Sequence, residues 1–303
     1  MKKTSQTPHS PAVQWMIDVV KEMGAAECCA LSYHALKPWI DKRAEGRLRH
    51  LCPQAQGILV GAFPYFCGEK AGNLSLYARG LDYHLALSRR LEAACRKLKS
   101  RFPEFVFSPG VDSSPVPERA SALLAGIGLR GKHGLVICPP YGSYVFLGTI
   151  LTSYPISYSG EEIRSCSGCL ACVRACPSGA LSLAKDGTVQ LFAERCLSHV
   201  TQKKKNLTEA EQVQIRTHPY TWGCDFCQQA CPENRNVPMS SLAELTGQTA
   251  EAPYLSTLTL DMLEGMDEDT FQEQFGNRAF AWRGLSVLRR NLELQDSKKT
   301  SKE

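Results

Sequence analysis

CSGCLACVRACP, residues Cys166 to Pro177, decides how this chain is read. Its spacing, C-x2-C-x2-C-x3-C-P, is the one with which small electron carriers wrap thiolates around [4Fe–4S] clusters, and in two-cluster proteins the fourth Cys serves the other cluster. A second set is therefore required. It lies downstream as Cys196, then Cys224, Cys227 and Cys231 followed by Pro232, the same motif with a long insertion after its first thiol. Crossing the fourth ligands predicts one cluster on Cys166, Cys169, Cys172 and Cys231, and another on Cys196, Cys224, Cys227 and Cys176. Paired C-x2-C also serves zinc, but three thiols two residues apart, closed by Cys-Pro, suit a cubane better than a tetrahedral ion. A disulfide framework fits less well, because the chain shows no secretory signal and far exceeds the small secreted domains that need such staples.

Around this motif the composition is that of an ordinary globular protein. With 303 residues, 43% of them apolar, the chain can build one large or two smaller domains. No run approaches the roughly 20 apolar residues of a membrane helix, and MKKTSQTPHS has no apolar segment behind its lysines, so a cytoplasmic protein is expected. A net charge of +5 is compatible with an anionic partner such as RNA without requiring one. Of the 14 cysteines, six carry no metal spacing: Cys28, Cys29, Cys52, Cys67, Cys95 and Cys138. They are expected as small buried hydrophobes, with Cys138 at the end of a predicted strand beside the candidate site.

Upstream of the motif, Val13, Met16, Ile17, Val20 and Met23 recur at helical spacing from Pro11 to Met23, and Gly24 stops the helix. A strand is predicted over Gln56–Phe63, a helix from Tyr83 onward, and a short strand over Glu104–Ser108 turned by Pro109 and Gly110. Ser114 is a candidate cap for a helix running to about Ala125. Asp112 then falls in a strand-to-helix loop, a usual position for chemistry. Gly126, Gly128 and Gly131 spell G-x-G-x-x-G, but they follow a helix and precede the strand Leu135–Cys138, the reverse of a phosphate cradle. They predict a tight turn with close backbone approach. A strand or strand pair follows at Tyr144–Leu151.

Downstream, the polar segment Ser157–Ser165 marks a boundary, and short loops held by metal are expected to about Asn236. The run Lys203, Lys204, Lys205 is either a solvated loop or an RNA phosphate contact. Two helices are predicted over Leu258–Leu294, with Arg278, Arg283, Arg289, Arg290 and Asn291 in or near the second. The tail QDSKKTSKE is predicted to be disordered. The resulting fold class is α+β or α/β: a mixed α/β unit over 1–156, a ferredoxin-like double-cluster unit over 157–238, C-terminal helices over 239–294, and a tail over 295–303.

By residue chemistry alone this is an iron–sulfur oxidoreductase with a pocket in its front half and an unidentified second cofactor. Six further stretches carry a resemblance: YARGLDYH (Tyr77–His84), VDSSPVPERA (Val111–Ala120), AGIGLRGKHGL (Ala125–Leu135), GSYVFLG (Gly142–Gly148), RCLSHVT (Arg195–Thr201) and WGCDFCQQACPEN (Trp222–Asn234). Together with the cluster motif, and a weaker match at FGNRAFAWRGLSVLRRN, they resemble the epoxyqueuosine reductases from about Gly57 to Asn236. The first fifty residues show little to match, and the chain is shorter than family members with a helical-repeat extension.

The resemblance implies that the front half binds cobalamin, that two [4Fe–4S] clusters reduce it, and that an epoxide on the wobble nucleoside of tRNA is reduced to an alkene. It further implies Asp112 as the proton donor, kept protonated near neutrality by an apolar pocket. Tyr83, His84, Lys132, Ser143 and His199 would line the corrin or substrate region. A monomer fed by an external donor such as a flavodoxin or ferredoxin is expected. Two other readings stay open: a cobalamin and iron–sulfur reductase of a small molecule, similar to reductive dehalogenases, and a simple electron carrier. The large front half argues against the carrier.

Overall fold

The structure, a computed structural model, describes residues 9–300, so the lysine-led N-terminal segment 1–8 and the last residues of the tail lie outside it. The predicted opening helix is α1 (Pro11–Glu22), with Val13, Met16, Ile17, Val19 and Val20 buried and Ser10 Oγ accepting the Val13 N–H. Three elements the sequence did not announce come next: β1 (Glu27–Ser32), α2 (Tyr33–Leu36) and α3 (Lys42–Leu51). The apolar run GILVGAFP becomes β2 (Gly57–Pro64), buried at every position. Asp82 caps α4 (Tyr83–Arg101), whose buried Ala86, Leu87, Leu91, Ala94 and Leu98 form its inner stripe.

After α4 the chain departs from prediction by a few residues. The strand expected over Glu104–Ser108 is β3 (Phe107–Gly110), so Pro109 and Gly110 lie in the strand and the turn falls at Asp112. The next helix, α5 (Glu118–Leu124), starts after Pro117 with no side-chain cap, and Ser114 Oγ instead accepts the Val116 N–H. A short hairpin of β4 (Leu129–Arg130) and β5 (Val136–Ile137) follows, and then the long β6 (Val145–Thr152). Gly128, at φ +75°, forms the close approach predicted for the glycine run, since a Cβ there would lie 2.0 Å from the Ile137 carbonyl oxygen.

The main sheet has the order β1-β2-β6-β3, and every pairing is antiparallel. No parallel crossover unit is present in it, so of the two classes expected the ladder selects α+β. One face packs on α1 and α4 around Met16, Phe63, Leu87 and Ile150, and the other on α5 around Leu31, Val60 and Leu123. Cys28, Cys29, Cys52, Cys67 and Cys138 are buried within or beside these cores, and Cys95 packs at the edge of one.

The segment beyond Ser157 is built from short pieces: α6 (Ala171–Arg174), the hairpin β7 (Leu181–Leu183) and β8 (Val189–Leu191), α7 (Leu197–Val200), α8 (Glu209–Thr217) and α9 (Phe226–Gln229). Two helices close the fold, α10 (Glu268–Phe275) and α11 (Leu285–Thr300). The tail expected to be disordered from 295 instead continues α11 as far as Thr300, because Leu294 and Gln295 are anchored: Leu294 packs beside Ile215 and Tyr220, and Gln295 Nε2 donates to the His218 carbonyl. Val237, Leu242, Leu245 and Ala252 return to the front core, while Trp222, fully buried, joins Leu74 to the apolar faces of α10 and α11. Front half, cysteine-rich segment and C-terminal helices therefore interlock.

Candidate functional site

Two groups of four thiols emerge from the short elements. Cys166, Cys169, Cys172 and Cys231 line one small hollow together with Lys132 and His133. Cys176, Cys196, Cys224 and Cys227 face a cavity of about 520 Å³. Left-handed Leu170 (φ +59°) opens α6 and carries Cys172 inward, while the Leu181 N–H bonds to the Cys176 sulfur at 3.4 Å. None of the eight is tied up in a disulfide. Each group takes three thiols from one half of the motif and a fourth from the other, the crossed ligand set of a two-cluster protein. Burial pushes the Cys172, Cys227 and Cys231 thiols up, Cys227 to about 12. Bound iron would supply the positive charge that buried thiolates need.

The cysteine segment is keyed to the front half through buried polar contacts. Asn234 accepts the Ser143 N–H (2.7 Å) and donates to Ser143 Oγ (2.9 Å), while Gln228 Nε2 donates to the Ser143 carbonyl (3.0 Å). Gly142 (φ +57°) is obligatory here, because a Cβ would lie 2.0 Å from Asn234 Oδ1. Asp225, wholly buried between Cys224 and Phe226, accepts the Ser75 hydroxyl and the Leu76 N–H, and burial raises its pKa.

Opposite the second thiol group, the cavity wall is formed by β6, the start of α4 and the β3–α5 loop. Tyr83 stacks on Phe146, ring centroids 4.3 Å apart and 10° from parallel. Tyr83 O–H donates to Asp112 Oδ2 at 2.9 Å. His84 bridges two carboxylates, with Nδ1 2.9 Å from Asp82 Oδ1 and Nε2 3.3 Å from Asp112 Oδ2. Both ring nitrogens can donate at once only in the imidazolium, and these hydrogen bonds, the one to Asp112 first, raise the His84 pKa to about 9. The same contact from His84 lowers the Asp112 pKa, and its side chain is 63% exposed. The expectation of a carboxylic acid kept protonated by an apolar pocket is thus reversed for Asp112: the proton sits on His84. Desolvation acts instead on Glu118, which lines the cavity, accepts the Asp112 N–H at 2.8 Å and is pushed up to about 8.

The remaining sequence candidates separate. Ser143 lines the cavity but is engaged by Asn234 and Gln228. Lys132 lies in the other hollow, beside Cys166, Cys169, Cys172 and Cys231, and not on the cavity. His199 is exposed on α7, because the helical turn points Ser198 and Gln202, four residues apart, at the cavity instead. Glu118, Phe146, Gln202, Asp225 and Gln228 were not singled out from the sequence. Four of them lie inside the matched motifs, so the signal was present but indistinguishable from packing.

The cavity suits a ligand with an apolar face and a few polar groups at its edge. Its walls carry Val145, Phe146, Leu147 and Leu181, its rim offers Ser198 and Gln202, and Leu191 at its lining is left 49% exposed, an apolar side chain such a ligand would cover.

This layout is that of a double-cluster iron–sulfur protein with an acid-bearing cavity against one thiol group, and residues 165–234 match the family model of the 4Fe-4S double cluster binding domain. Residues 46–113 match the model described as Epoxyqueuosine reductase QueG, DUF1730. The chain is 32% identical to the epoxyqueuosine reductase of Staphylococcus aureus over 77% of its own length, and spans 58% of that protein. It is 31% identical to the epoxyqueuosine reductase of Synechocystis sp. over 87% of its length, spanning 91% of that relative. A crystal structure of epoxyqueuosine reductase with an epoxyqueuosine-modified tRNA-Tyr stem loop superposes on 94% of this chain and covers 80% of that one, with a TM-score of 0.78 and 27% identity. The chain belongs to the epoxyqueuosine reductase family.

Proposed function

We propose that the protein reduces the epoxide of epoxyqueuosine at the wobble position of tRNA to the alkene of queuosine. The observation that carries this reading is the placement of Tyr83, His84, Asp112 and Glu118 across one cavity from Cys176, Cys196, Cys224 and Cys227. Cys166, Cys169, Cys172 and Cys231 would ligate the outer [4Fe–4S] cluster and the other four the inner one. Cobalamin would lie against Tyr83, Phe146, Leu147 and Leu191, with Ser198 and Gln202 at its edge. Bound there, it would supply the two-electron reducing centre, filled one electron at a time through the clusters from an external donor such as a flavodoxin or ferredoxin.

The overall change, epoxide plus two electrons and two protons to alkene plus water, sets what the side chains must do. His84, held in place by Asp82, stores the proton, which passes through the Asp112 carboxylate to the departing oxygen. Glu118, protonated at neutrality, is placed to supply the second. Tyr83 fixes the Asp112 carboxylate, and a ligand bound against the apolar wall would shield these charge-assisted contacts from bulk water and strengthen them.

The small-molecule reductase is less well supported, since the relatives matched at 31 and 32% identity are epoxyqueuosine reductases. The test is anaerobic turnover of epoxyqueuosine-containing tRNA by protein reconstituted with iron, sulfide and cobalamin, followed by nucleoside mass spectrometry. Loss of one oxygen from the modified nucleoside supports the proposal. Unchanged nucleoside, with clusters and cobalamin loaded, refutes it.

A further inference from the structure

A second cleft, of about 350 Å³, lies between residues 203–206 and α11; its polar lining is Lys204, Lys205, Asn206, Gln212, Ser286 and Arg290. Lys203, first of the lysine run, is occupied by Glu211 at 2.5 Å. Lys204 and Lys205 are exposed and form no ion pair among the described residues.

The loop that carries them is held in place. Arg290 Nη1 donates to the carbonyls of Lys203 (2.8 Å) and Lys205 (3.3 Å), and its Nε and Nη2 donate to Asn291 Oδ1. Asn291, fully buried, is in turn fixed by donating to the Thr201 and Thr221 carbonyls. An arginine committed to carbonyl oxygens fixes backbone, so the two ammonium groups project from a positioned loop, which lowers the entropy lost when an anion is bound.

The cleft also adjoins the cavity along the chain. Gln202 lines the cavity, donating to the Ser198 carbonyl (2.9 Å) and the Tyr77 hydroxyl (3.4 Å). Lys204 stands two residues further on, within about 8 Å of backbone. A nucleotide whose base enters the cavity beside Gln202 would lead its sugar-phosphate strand out past Lys204 and Lys205.

Building on the proposed function, we propose that this cleft binds backbone phosphates of the RNA strand whose base occupies the cavity, with Lys204 and Lys205 as the cations. Phosphate contacts position the strand and carry no base information. Each neutralised phosphate on a single strand contributes about −0.7 to the slope of log K against log salt.

The experiment measures binding of an unmodified anticodon stem-loop RNA to reconstituted wild-type protein and to the Lys204→Gln/Lys205→Gln variant across a salt series, with iron content and visible spectrum checked in both. The expected result is weaker binding of the variant at low salt, equally so for stem-loops of different sequence, and a slope shallower by about 1.4. A single Lys205→Glu variant should weaken binding further than Lys205→Gln. Wild-type binding with an unchanged slope and affinity in the double variant overturns the cleft while leaving the proposed function standing. Absence of RNA binding by the wild type overturns both.

Discussion

At the scale of single residues, the site turns on where one proton is kept. His84 lies between Asp82 and Asp112, and its pKa is raised to about 9 from 6.5, while that of Asp112 is lowered. For a group raised on folding, the contribution of the charged form is complete below about 6.5 and is lost as pH rises through about 9. Turnover should therefore decline on the alkaline side through that window. The Asp112→Asn variant should lose about 100-fold or more in turnover and let the His84 pKa fall, which an NMR titration of the histidine ring would register. A His84 titration unchanged by Asp112→Asn would contradict the pairing. Asp112 was legible in the sequence as a loop residue because the Ser-Ser-Pro run follows it, although Pro109 and Gly110, read as the turn, lie in β3. Glu118 was not, since a glutamate in the first turn of a helix reads as a dipole partner, and only the folded wall shows that it is desolvated.

At the scale of elements, the connection between the cysteine segment and the rest is made by a few buried side chains. Trp222 is fully buried, donates its indole N–H to the Tyr77 hydroxyl at 2.8 Å and packs with Leu74 and the C-terminal helices. Trp222→Ala should cost about 3–5 kcal/mol, read by urea unfolding of the reconstituted protein; a loss under 1 kcal/mol would show that these contacts do not support the fold. Helices with a strong apolar period, α1 and α4, were legible to within a residue or two, as was the unbroken apolar run of β2. The first strand was not, because ECCALS joins two cysteines to a flanking glutamate and lacks the β-branched residues that mark strands. The antiparallel order was also hidden, since it depends on partners far apart in sequence, such as Gly57 and Thr152. The outward placement of His199 was hidden for a simpler reason: a four-residue helix gives too little period to tell which residues face the cavity.

At the scale of the whole molecule, the thiols divide into two groups that draw on distant parts of the chain, so each cluster would also staple the fold. Cys231→Ala should halve the iron content and spare the group at the cavity, whereas Cys224→Ala should remove the inner cluster and end turnover. Equal loss of all iron in both variants would mean that the groups are not independent. Chelation of iron should lower the unfolding midpoint of the cysteine segment, whose elements are too short to build much core of their own. The most direct single measurement is iron- and cobalt-edge anomalous diffraction from anaerobically reconstituted crystals loaded with cobalamin. The expected map places one iron cluster within Cys166, Cys169, Cys172 and Cys231, a second within Cys176, Cys196, Cys224 and Cys227, and cobalt in the cavity between that second cluster and Asp112. Cobalt found elsewhere, or iron shared differently among the eight sulfurs, would contradict the account.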